Sequence, residues 1–304
     1  MFEIREDYLS GYKVLMSDER AKRPMLWRQS YERPKQWGTC PFCIENRHEL
    51  SNISSISEDG RIIVLPNKYP AIEPDYGLHE VIIDSNIHDE DFADFSIANM
   101  SETFNILFSR YKVMFEHDFV KHVQIFKNDG SGSGASIPHS HWQAVAMSFV
   151  PSKQAGVHKQ FERYYKEKQR SYIESLYENK GLIIYENQYA FAYMPHASPY
   201  GYGINIATIK HTESALEISG PQTKALAEAL KFSIKALQRE LGSFPYNICF
   251  QHAPKGKYHA SHFYIELLPR TGSFGGLELG AEVYINSFFP EITAPVIRKH
   301  MSLL

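Results

Sequence analysis

The sequence predicts an α+β protein in which one arrangement of strands and a helix occurs twice along the chain. Two observations support this prediction. First, the strand patterns are separated mainly by turns, which favours a largely antiparallel sheet over a doubly wound parallel one. Second, a strand pair, a long helical pattern and another strand pair follow one another in the same order in each half. We therefore expect two domains of similar build, covering residues 1–155 and 156–304.

The elements of the repeat can be followed one by one. The opening strand of each half ends in an Asn-x-Tyr turn, at residues 67–69 and 187–189. A β-branched strand follows in each half and leads to His88 or to His211. Two further strand patterns come after each helix, beginning near residues 120 and 137 and near residues 246 and 259. A coincidental likeness within one α+β domain is the alternative interpretation.

Apolar residues at helical spacing mark one long helix in each half. In the first half the pattern is Phe104, Leu107, Phe108, Tyr111 and Phe115; in the second it is Leu226, Leu230, Ile234, Leu237 and Leu241. Gly242 follows the second pattern directly and predicts its end. A further helical segment, about residues 155–178, is expected to connect the two halves.

Composition and charge exclude several classes of partner. The 304 residues include 32 Lys+Arg and 35 Asp+Glu, a net charge of −3, so there is no electrostatic basis for binding nucleic acid or an anionic membrane. No apolar run reaches the 18 residues of a membrane span. The first residues lack the basic start and apolar stretch of a secretory signal, so we expect a cytoplasmic protein.

A glycine-rich loop followed by two histidines is the first cluster with chemical content. Three glycines fall within residues 130–134, where they let the backbone approach an anion and point N–H groups at it. His139, His141 and Gln143 then alternate along a predicted strand, which places them on one face. An imidazole there suits attack on a phosphoryl group, with the amide steadying the charged oxygens. A pair of hydrogen-bonded core histidines is the alternative.

The second cluster is the pair Cys40 and Cys43. Three cysteines cannot build a disulfide framework, and the C-x-x-C spacing suits a two-thiolate metal chelate. A redox pair usually lies at a helix N-terminus after a strand, and no such pattern surrounds residues 30–60. A closed tetrahedral zinc site needs two more ligands, which the pair alone does not identify.

Taken together, these motifs resemble the galactose-1-phosphate uridylyltransferase branch of the histidine-triad superfamily. The similar segments cover nearly the whole chain: the basic stretch at 20–24, the cysteine pair, the turn at 67–71, the signature G-A-S-x-P-H-x-H-x-Q at 134–143, and residues 276–280, 284–286 and 290–291. The resemblance implies two tandem histidine-triad-like domains and a cytoplasmic homodimer that acts in carbohydrate metabolism.

The resemblance also implies a role for each residue of the signature. His141 would be the nucleophile, carrying a nucleoside monophosphate in a ping-pong reaction while a backbone carbonyl holds its other ring nitrogen. Gln143 would hydrogen-bond the phosphoryl oxygens and favour transfer over hydrolysis. The residues that would contact the phosphates or the nucleotide are Asn67, Asn128, Gly132, Gly134 and Ser136. Arg20 and Arg23 would help form the site across the dimer interface, or else be solvated surface charges.

A structural metal site follows from the same resemblance. His88 and His139 would join Cys40 and Cys43 as a closed Cys₂His₂ site that holds one Zn²⁺ per chain. Such a site would brace the strand that carries the nucleophile. A surface histidine at a helix start is the alternative for His88.

Several residues depart from the family pattern. Ser140 stands where the uridylyltransferases have proline, which is more like the nucleoside diphosphate-sugar phosphorylases, and Lys127 stands where they usually have an acidic residue. In the second half, His259 and His262 are three apart and face differently on a strand. His252 and His262 match two positions of the second metal site that some relatives hold, but the acidic partner expected near residues 152–160 is absent, so we do not expect that site here.

Three functions from different classes follow. The leading one is a nucleotidylyltransferase that moves UMP or AMP between a nucleoside diphosphate sugar and a sugar 1-phosphate or phosphate. A phosphorylase or hydrolase of nucleoside diphosphate compounds, using the same covalent histidine, is the first alternative. A zinc-stabilised nucleotide-binding protein without catalysis is the second. No motif in the chain encodes the base or the sugar.

Overall fold

The structure is a computed structural model that describes residues 1–22, 40–256 and 259–304. Its strands are β1 (Phe2–Glu6), β2 (Lys13–Ser17), β3 (Ser55–Ile56), β4 (Ile63–Pro66), β5 (Gly77–Ile83), β6 (His122–Asp129), β7 (His141–Met147), β8 (Ile183–Glu186), β9 (Ala190–Tyr193), β10 (Ile204–Thr208), β11 (Tyr246–Gln251), β12 (Tyr264–Pro269) and β13 (Val283–Asn286). Its helices are α1 (Ile97–Phe115), α2 (Ser152–Lys168), α3 (Tyr172–Glu178), α4 (Gly220–Leu241), α5 (Gly276–Ala281) and α6 (Pro290–Met301).

Ten strands form one large sheet, and each pairing between neighbours in it is antiparallel. The order is β3-β4-β5-β7-β6-β11-β12-β10-β9-β8, so β3 to β7 build one side and β8 to β12 build the other in the mirrored order. The two sides meet where β6 pairs with β11. The α+β class with a largely antiparallel sheet is therefore confirmed. The domain boundary at residues 155 and 156 stays a prediction, since both halves share this sheet and one core.

The two Asn-x-Tyr turns do form, but they are not equivalent positions in the repeat. Asn67 Oδ1 accepts a hydrogen bond from the Tyr69 backbone at 2.9 Å, and Asn187 Oδ1 accepts one from the Tyr189 backbone at 3.1 Å. The first turn follows β4, whereas the second connects β8 to β9. The sequence analysis was therefore wrong to match these two turns. The short strand β3 gives no apolar signal in the sequence, so β4 was matched with β8, whereas the sheet order matches β3 with β8 and β4 with β9.

Helices α1 and α4 pack against each other and against the sheet. Ser96 caps α1 by accepting a bond from the Asn99 backbone, and a capping box of Ser219 and Gln222 begins α4. Gly242, with a φ of 75°, ends α4 as predicted. Within the ranges that the structure describes, none of the helices combines the length and apolarity that a membrane crossing requires.

The connecting segment consists of two helices rather than one. Gln169, with a φ of 55°, ends α2, and α3 begins three residues later at Tyr172. Sequence analysis also missed a separate three-stranded sheet of β1, β2 and β13, in which β13 runs parallel to β2. Nearby, Arg5 Nη1 donates to the His196 carbonyl at 2.8 Å and to Glu291 at 3.0 Å. These contacts tie the N-terminal strand to α6.

Candidate active site and metal cluster

Strand β7 presents His141 and Gln143 on the sheet face that points away from α1 and α4. Burial alternates along the strand: Trp142 and Ala144 are fully buried in the core on the helix side, whereas Gln143 is half-buried. The Phe42 ring lies over His141, with ring centroids 5.3 Å apart. The predicted alternation therefore holds for the two residues on this strand that are expected to contact a phosphoryl group.

The backbone holds the His141 ring in one tautomer. Nδ1 lies 2.8 Å from the carbonyl oxygen of His139, and because a carbonyl only accepts, Nδ1 carries the hydrogen. Nε2 then keeps its lone pair. Burial lowers the pKa of His141 to about 4, so the imidazole is neutral at pH 7. The arrangement yields an unprotonated nitrogen that can act as a nucleophile.

The Gln143 amide is hydrogen-bonded to His79 on the neighbouring strand β5. His79 Nε2 lies 3.0 Å from Gln143 Oε1, and His79 Nδ1 accepts a bond from the Ala71 backbone at 3.0 Å. Asn67 Nδ2 lies 3.2 Å from the same His79 Nε2. The turn predicted to contact the nucleotide therefore lies beside the amide predicted to contact the phosphate.

The glycine loop joins β6 to β7 and has backbone angles that favour glycine. Gly130 has a φ of 84° and Gly134 a φ of 89°. Asn247 on β11 donates from Nδ2 to Asn128 Oδ1 at 2.8 Å and to the Ser133 carbonyl at 2.9 Å. The second half of the chain thus holds in place a loop that belongs to the first half.

Four predicted ligands form a compact cluster beside this strand. The ligand atoms of Cys40, Cys43, His88 and His139 all lie within 4.8 Å of one another. His139 Nδ1 lies 3.8 Å from Cys40 Sγ and 3.6 Å from Cys43 Sγ, and His88 Nδ1 lies 3.3 Å from Cys43 Sγ. A tetrahedral zinc ion with ordinary bond lengths separates a sulfur and a nitrogen ligand by about 3.6 Å. The cluster therefore has the spacing of a tetrahedral metal site.

The chemistry of the donors also fits a metal. His139 Nε2 is 2.9 Å from the Ser85 carbonyl oxygen, to which it donates, so Nδ1 is left as a ligand facing the thiols. Burial, and next the adjacent Cys40, raises the pKa of Cys43. The Arg47 guanidinium acts in the opposite direction on the same pKa, and a bound cation among the four ligands would add a further charge that stabilises the thiolates. These four residues could therefore hold a metal ion.

His139 lies just before β7 rather than on it, because the strand begins at His141. Its ring faces Cys40 and Cys43 and contacts the Phe42 ring, which also contacts His141. His139 thus contributes its side chain to the cluster and its carbonyl oxygen to the His141 ring.

The remaining predicted residues lie in less constrained positions. Ser136 is exposed at the end of the glycine loop. Arg20 is exposed in a short 3₁₀ helix, Asp18–Lys22. Arg23 lies outside the described residues, so its predicted place at a dimer interface is untested.

The histidines of the second half are engaged by the protein itself. His252 Nε2 lies 2.5 Å from the Val123 carbonyl oxygen, and His262 Nε2 lies 3.0 Å from the Thr208 carbonyl oxygen. His259 and His262 both precede β12, so their expected position on a strand was wrong. Among the described residues, no second group of metal ligands accompanies the Cys₂His₂ cluster.

Sequence analysis did not identify which residues contact Lys127 and Ser140, two positions that depart from the family pattern. Lys127 is fully buried beneath β7, where Nζ donates to Ser140 Oγ at 2.7 Å and to the His141 carbonyl at 3.2 Å. Its charge is paired with the buried carboxylate of Asp84 at 3.4 Å, which also accepts a bond from Trp142 Nε1 at 3.0 Å. Lys127 and Ser140 therefore form one hydrogen-bond network on the core side of β7.

We expect this buried pair to depend on both charges. Lys127→Met leaves the Asp84 carboxylate buried without its cation, so the free energy of unfolding should fall by about 3–5 kcal/mol. The double variant Lys127→Met/Asp84→Asn removes both charges and should recover most of that loss. Urea unfolding followed by fluorescence measures both variants. A double variant no more stable than the single one would show that the charge pair is not the cause.

The chain is similar to known proteins over nearly its whole length. Residues 29–150 match the family model described as the N-terminal domain of a domain of unknown function (DUF4931). ADP-glucose phosphorylase from Arabidopsis thaliana is 26% identical, over 98% of this chain and 92% of that protein. Galactose-1-phosphate uridylyltransferase from Thermotoga maritima is 25% identical, over 98% of both chains.

A solved structure has the same architecture. The crystal structure of an ADP-glucose phosphorylase from Arabidopsis thaliana with bound ADP-glucose superposes with a TM-score of 0.91 at 25% identity, over 98% of each chain. The sheet, the signature strand and these full-length similarities agree. Over nearly its whole length the chain is therefore similar to the galactose-1-phosphate uridylyltransferase-like branch of the histidine-triad superfamily, and these relatives support an enzyme of the nucleotidyltransferase type.

Proposed function

We propose that the protein transfers a nucleoside monophosphate, AMP or UMP, from a nucleoside diphosphate sugar to phosphate or to a sugar 1-phosphate through a covalent bond to His141. The observation that carries the proposal is the hydrogen bond from His141 Nδ1 to the His139 carbonyl, which leaves Nε2 unprotonated beside Gln143. The relatives named for ADP-glucose and galactose 1-phosphate support this substrate class.

The reaction consists of two displacements at one phosphorus atom. His141 Nε2 attacks the α-phosphorus, a P–N bond forms, and the bond to the bridging oxygen breaks so that the sugar 1-phosphate leaves. A phosphate oxygen of the acceptor then attacks the same phosphorus, and the P–N bond breaks. The acceptor's nucleophile is already ionised at pH 7, so the second step needs no general base. The same site thus serves donor and acceptor in turn.

Gln143 and the glycine loop would stabilise the negative charge on the phosphate oxygens. The Gln143 amide nitrogen would donate to a non-bridging oxygen of the phosphoryl group, where negative charge develops during transfer. Backbone N–H groups of the loop at 130–134 and the Asn128 side chain would hold the neighbouring phosphate. Ser136 and Asn67 would contact the phosphate and the nucleotide respectively. These are roles that the geometry supports and that substitution can test.

The second candidate function is that of a phosphorylase, in which inorganic phosphate is the acceptor. Two observations favour it. Ser140 stands between the two signature histidines, where it accepts a hydrogen bond from Lys127, and the relative with ADP-glucose phosphorylase activity is similar over 98% of this chain. Phosphate and a sugar 1-phosphate both present a phosphate oxygen to the covalent intermediate, so a competition between them distinguishes the two functions.

We further propose that the Cys₂His₂ cluster holds one structural Zn²⁺. The ligand spacing and donor set support zinc, and four protein ligands leave no open position for catalysis. When bound, the ion would tether Cys40 and Cys43 to the segment that precedes β7. His139 would then be fixed at its side chain, and with it the carbonyl that orients His141.

The assembly and location of the protein are also proposals. We propose a homodimer in which Arg20 and Arg23 approach the phosphates of the partner's site, and a cytoplasmic location. The exposure of Arg20 is compatible with an intersubunit role. No nucleic acid or membrane partner is proposed, because the net charge of −3 offers no attraction to a polyanion.

The covalent step predicts a trapped intermediate. ADP-glucose and UDP-glucose, each labelled at the α-phosphate, are mixed with enzyme without acceptor, and the labelled peptide is mapped by mass spectrometry. We expect an acid-labile label on the peptide that contains His141 and none in His141→Ala. Gln143→Ala should still form the intermediate, at a rate roughly 10²–10³ lower, the loss of a single oxyanion donor.

The discharge of the labelled enzyme identifies the acceptor. Phosphate should release the labelled nucleoside diphosphate, and glucose 1-phosphate or galactose 1-phosphate should release the labelled nucleotide sugar. Ser136→Ala serves as a control that removes a side chain at the loop without removing the nucleophile. Turnover of either donor by His141→Ala at the wild-type rate, with no label trapped on the wild-type enzyme, would contradict the covalent mechanism.

The zinc proposal predicts a link between metal content and stability. Elemental analysis should give about one zinc per chain, and Cys40→Ser should lower both zinc content and melting temperature, because a structural metal contributes directly to folding free energy. Cys249→Ser changes a cysteine outside the cluster and should keep the full zinc content. Metal-free protein with the melting temperature of the wild type would contradict the assignment.

A further inference from the structure

We propose that His79 is a positioning residue that fixes which end of the Gln143 amide faces the phosphoryl group. The inference rests on the proposed function, because it assumes that Gln143 donates to the transferring phosphate. It adds a residue that the signature does not contain, since His79 lies on β5, across the strand pair from β7.

The hydrogen bonds around His79 determine its tautomer. The Ala71 backbone N–H donates to Nδ1 at 3.0 Å, and because a backbone N–H cannot accept, Nδ1 must carry the lone pair. In the neutral ring the hydrogen is then on Nε2, so Asn67 Nδ2, which is itself a donor and lies 3.2 Å from Nε2, does not hydrogen-bond to it. Burial lowers the pKa of His79, which keeps this neutral form at pH 7.

The tautomer of His79 in turn orients Gln143. His79 Nε2 lies 3.0 Å from Gln143 Oε1, so the amide oxygen accepts the hydrogen bond from His79. The amide nitrogen, with its two hydrogens, is then the end available to the site on β7. An amide rotated by 180° would turn its oxygen to the anionic phosphoryl group and its nitrogen to the His79 donor. Both contacts of that rotated form are unfavourable.

His79 also connects the amide to the turn at 67–71. The Asn67 backbone N–H donates to the His79 carbonyl at 2.8 Å, and the Ala71 backbone donates to the His79 ring. Asn67 Oδ1 accepts from the Tyr69 backbone at 2.9 Å, which closes the turn. One side chain thus links the turn proposed to contact the nucleotide with the amide proposed to contact its phosphate.

Two matched variants separate the donor from the bulk of the ring. His79→Phe keeps an aromatic ring but removes both nitrogens, so Gln143 loses its orienting donor. His79→Gln offers an amide whose oxygen can accept from Ala71 and whose nitrogen can donate to Gln143. The test measures single-turnover formation of the labelled nucleotidyl-enzyme from ADP-glucose and UDP-glucose, in both the wild-type and the Gln143→Ala background.

In the wild-type background we expect His79→Phe to form the intermediate roughly tenfold more slowly, the loss of about one neutral hydrogen bond. His79→Gln should restore most of that rate. In the Gln143→Ala background, His79→Phe should change the rate by less than about twofold, because the group it orients is absent. Equal losses in the two backgrounds, or a wild-type rate for His79→Phe, would overturn the proposal.

Melting temperature and zinc content of each variant report whether the fold is intact. A measurement on the wild-type protein covers the case in which His79→Phe does not fold: the long-range ¹H–¹⁵N spectrum of histidine-labelled protein should show the hydrogen of His79 on Nε2. A hydrogen on Nδ1 would overturn the proposal. If the wild-type enzyme acquires no label, the proposed function fails, whereas this spectrum still tests the orientation of Gln143.

Discussion

The chemistry of the site depends on one backbone hydrogen bond, from His141 Nδ1 to the carbonyl oxygen of His139 at 2.8 Å. This bond decides which ring nitrogen is free, and it exists because the chain around His139 is held from two directions. The ring of His139 faces Cys40 and Cys43, while its Nε2 donates to the Ser85 carbonyl. A residue whose side chain belongs to the Cys₂His₂ cluster thus supplies the backbone atom that orients the His141 ring.

The rest of the fold supports this arrangement from the opposite face of the sheet. Lys127 reaches through the core beneath β7 and holds the Ser140 hydroxyl and the His141 carbonyl, with Asp84 as its counter-charge. A buried ion pair is an expensive way to stabilise a protein, since apolar residues of similar size often do as well or better. Its contacts with Ser140 and His141, at the start of β7, link that cost to the geometry of the candidate site.

The mirrored sheet brings the second half of the chain to the candidate site. Strand β11 of the second half pairs with β6 of the first, and this places Asn247 where it holds Asn128 and the Ser133 carbonyl. The second half does not have the alternating histidines of the signature, and His252 and His262 are bonded to backbone carbonyls. Its contribution to the candidate site is therefore support for the glycine loop.

The sequence predicted the parts of the site that recur as short motifs. Cys40, Cys43, His88 and His139 come together as expected, because their family resemblance identified all four. His79 and Asp84 could not be predicted, since each looks like an ordinary strand residue until the register of β5 and β7 is known. The sequence does mark Lys127, because it stands where the family usually has an acidic residue.

The position of Lys127 in its strand is a second signal, and it has a physical basis. Along β6, Val123 and Ile125 point to the core, and Lys127 follows at the next inward position, where a charge must find a buried partner. A sequence pattern shows that such a partner is required but not which residue supplies it. The short strand β3 and the sheet of β1, β2 and β13 were missed for other reasons. Strand β3 has only two residues, and in β1 the burial is the reverse of the apolar pattern, since Phe2 and Ile4 are exposed and Arg5 is buried.

The protonation state of His141 is the most direct test of this view of the site. In protein labelled with ¹⁵N-histidine, a long-range ¹H–¹⁵N correlation spectrum at pH 7 reports the hydrogen on each ring nitrogen, and His141→Gln assigns the signal by its loss. The backbone bond from His139 predicts a neutral His141 ring with its hydrogen on Nδ1. A hydrogen on Nε2 would place the lone pair on Nδ1 instead, and hydrogens on both nitrogens would leave no lone pair on the ring; either result would contradict it.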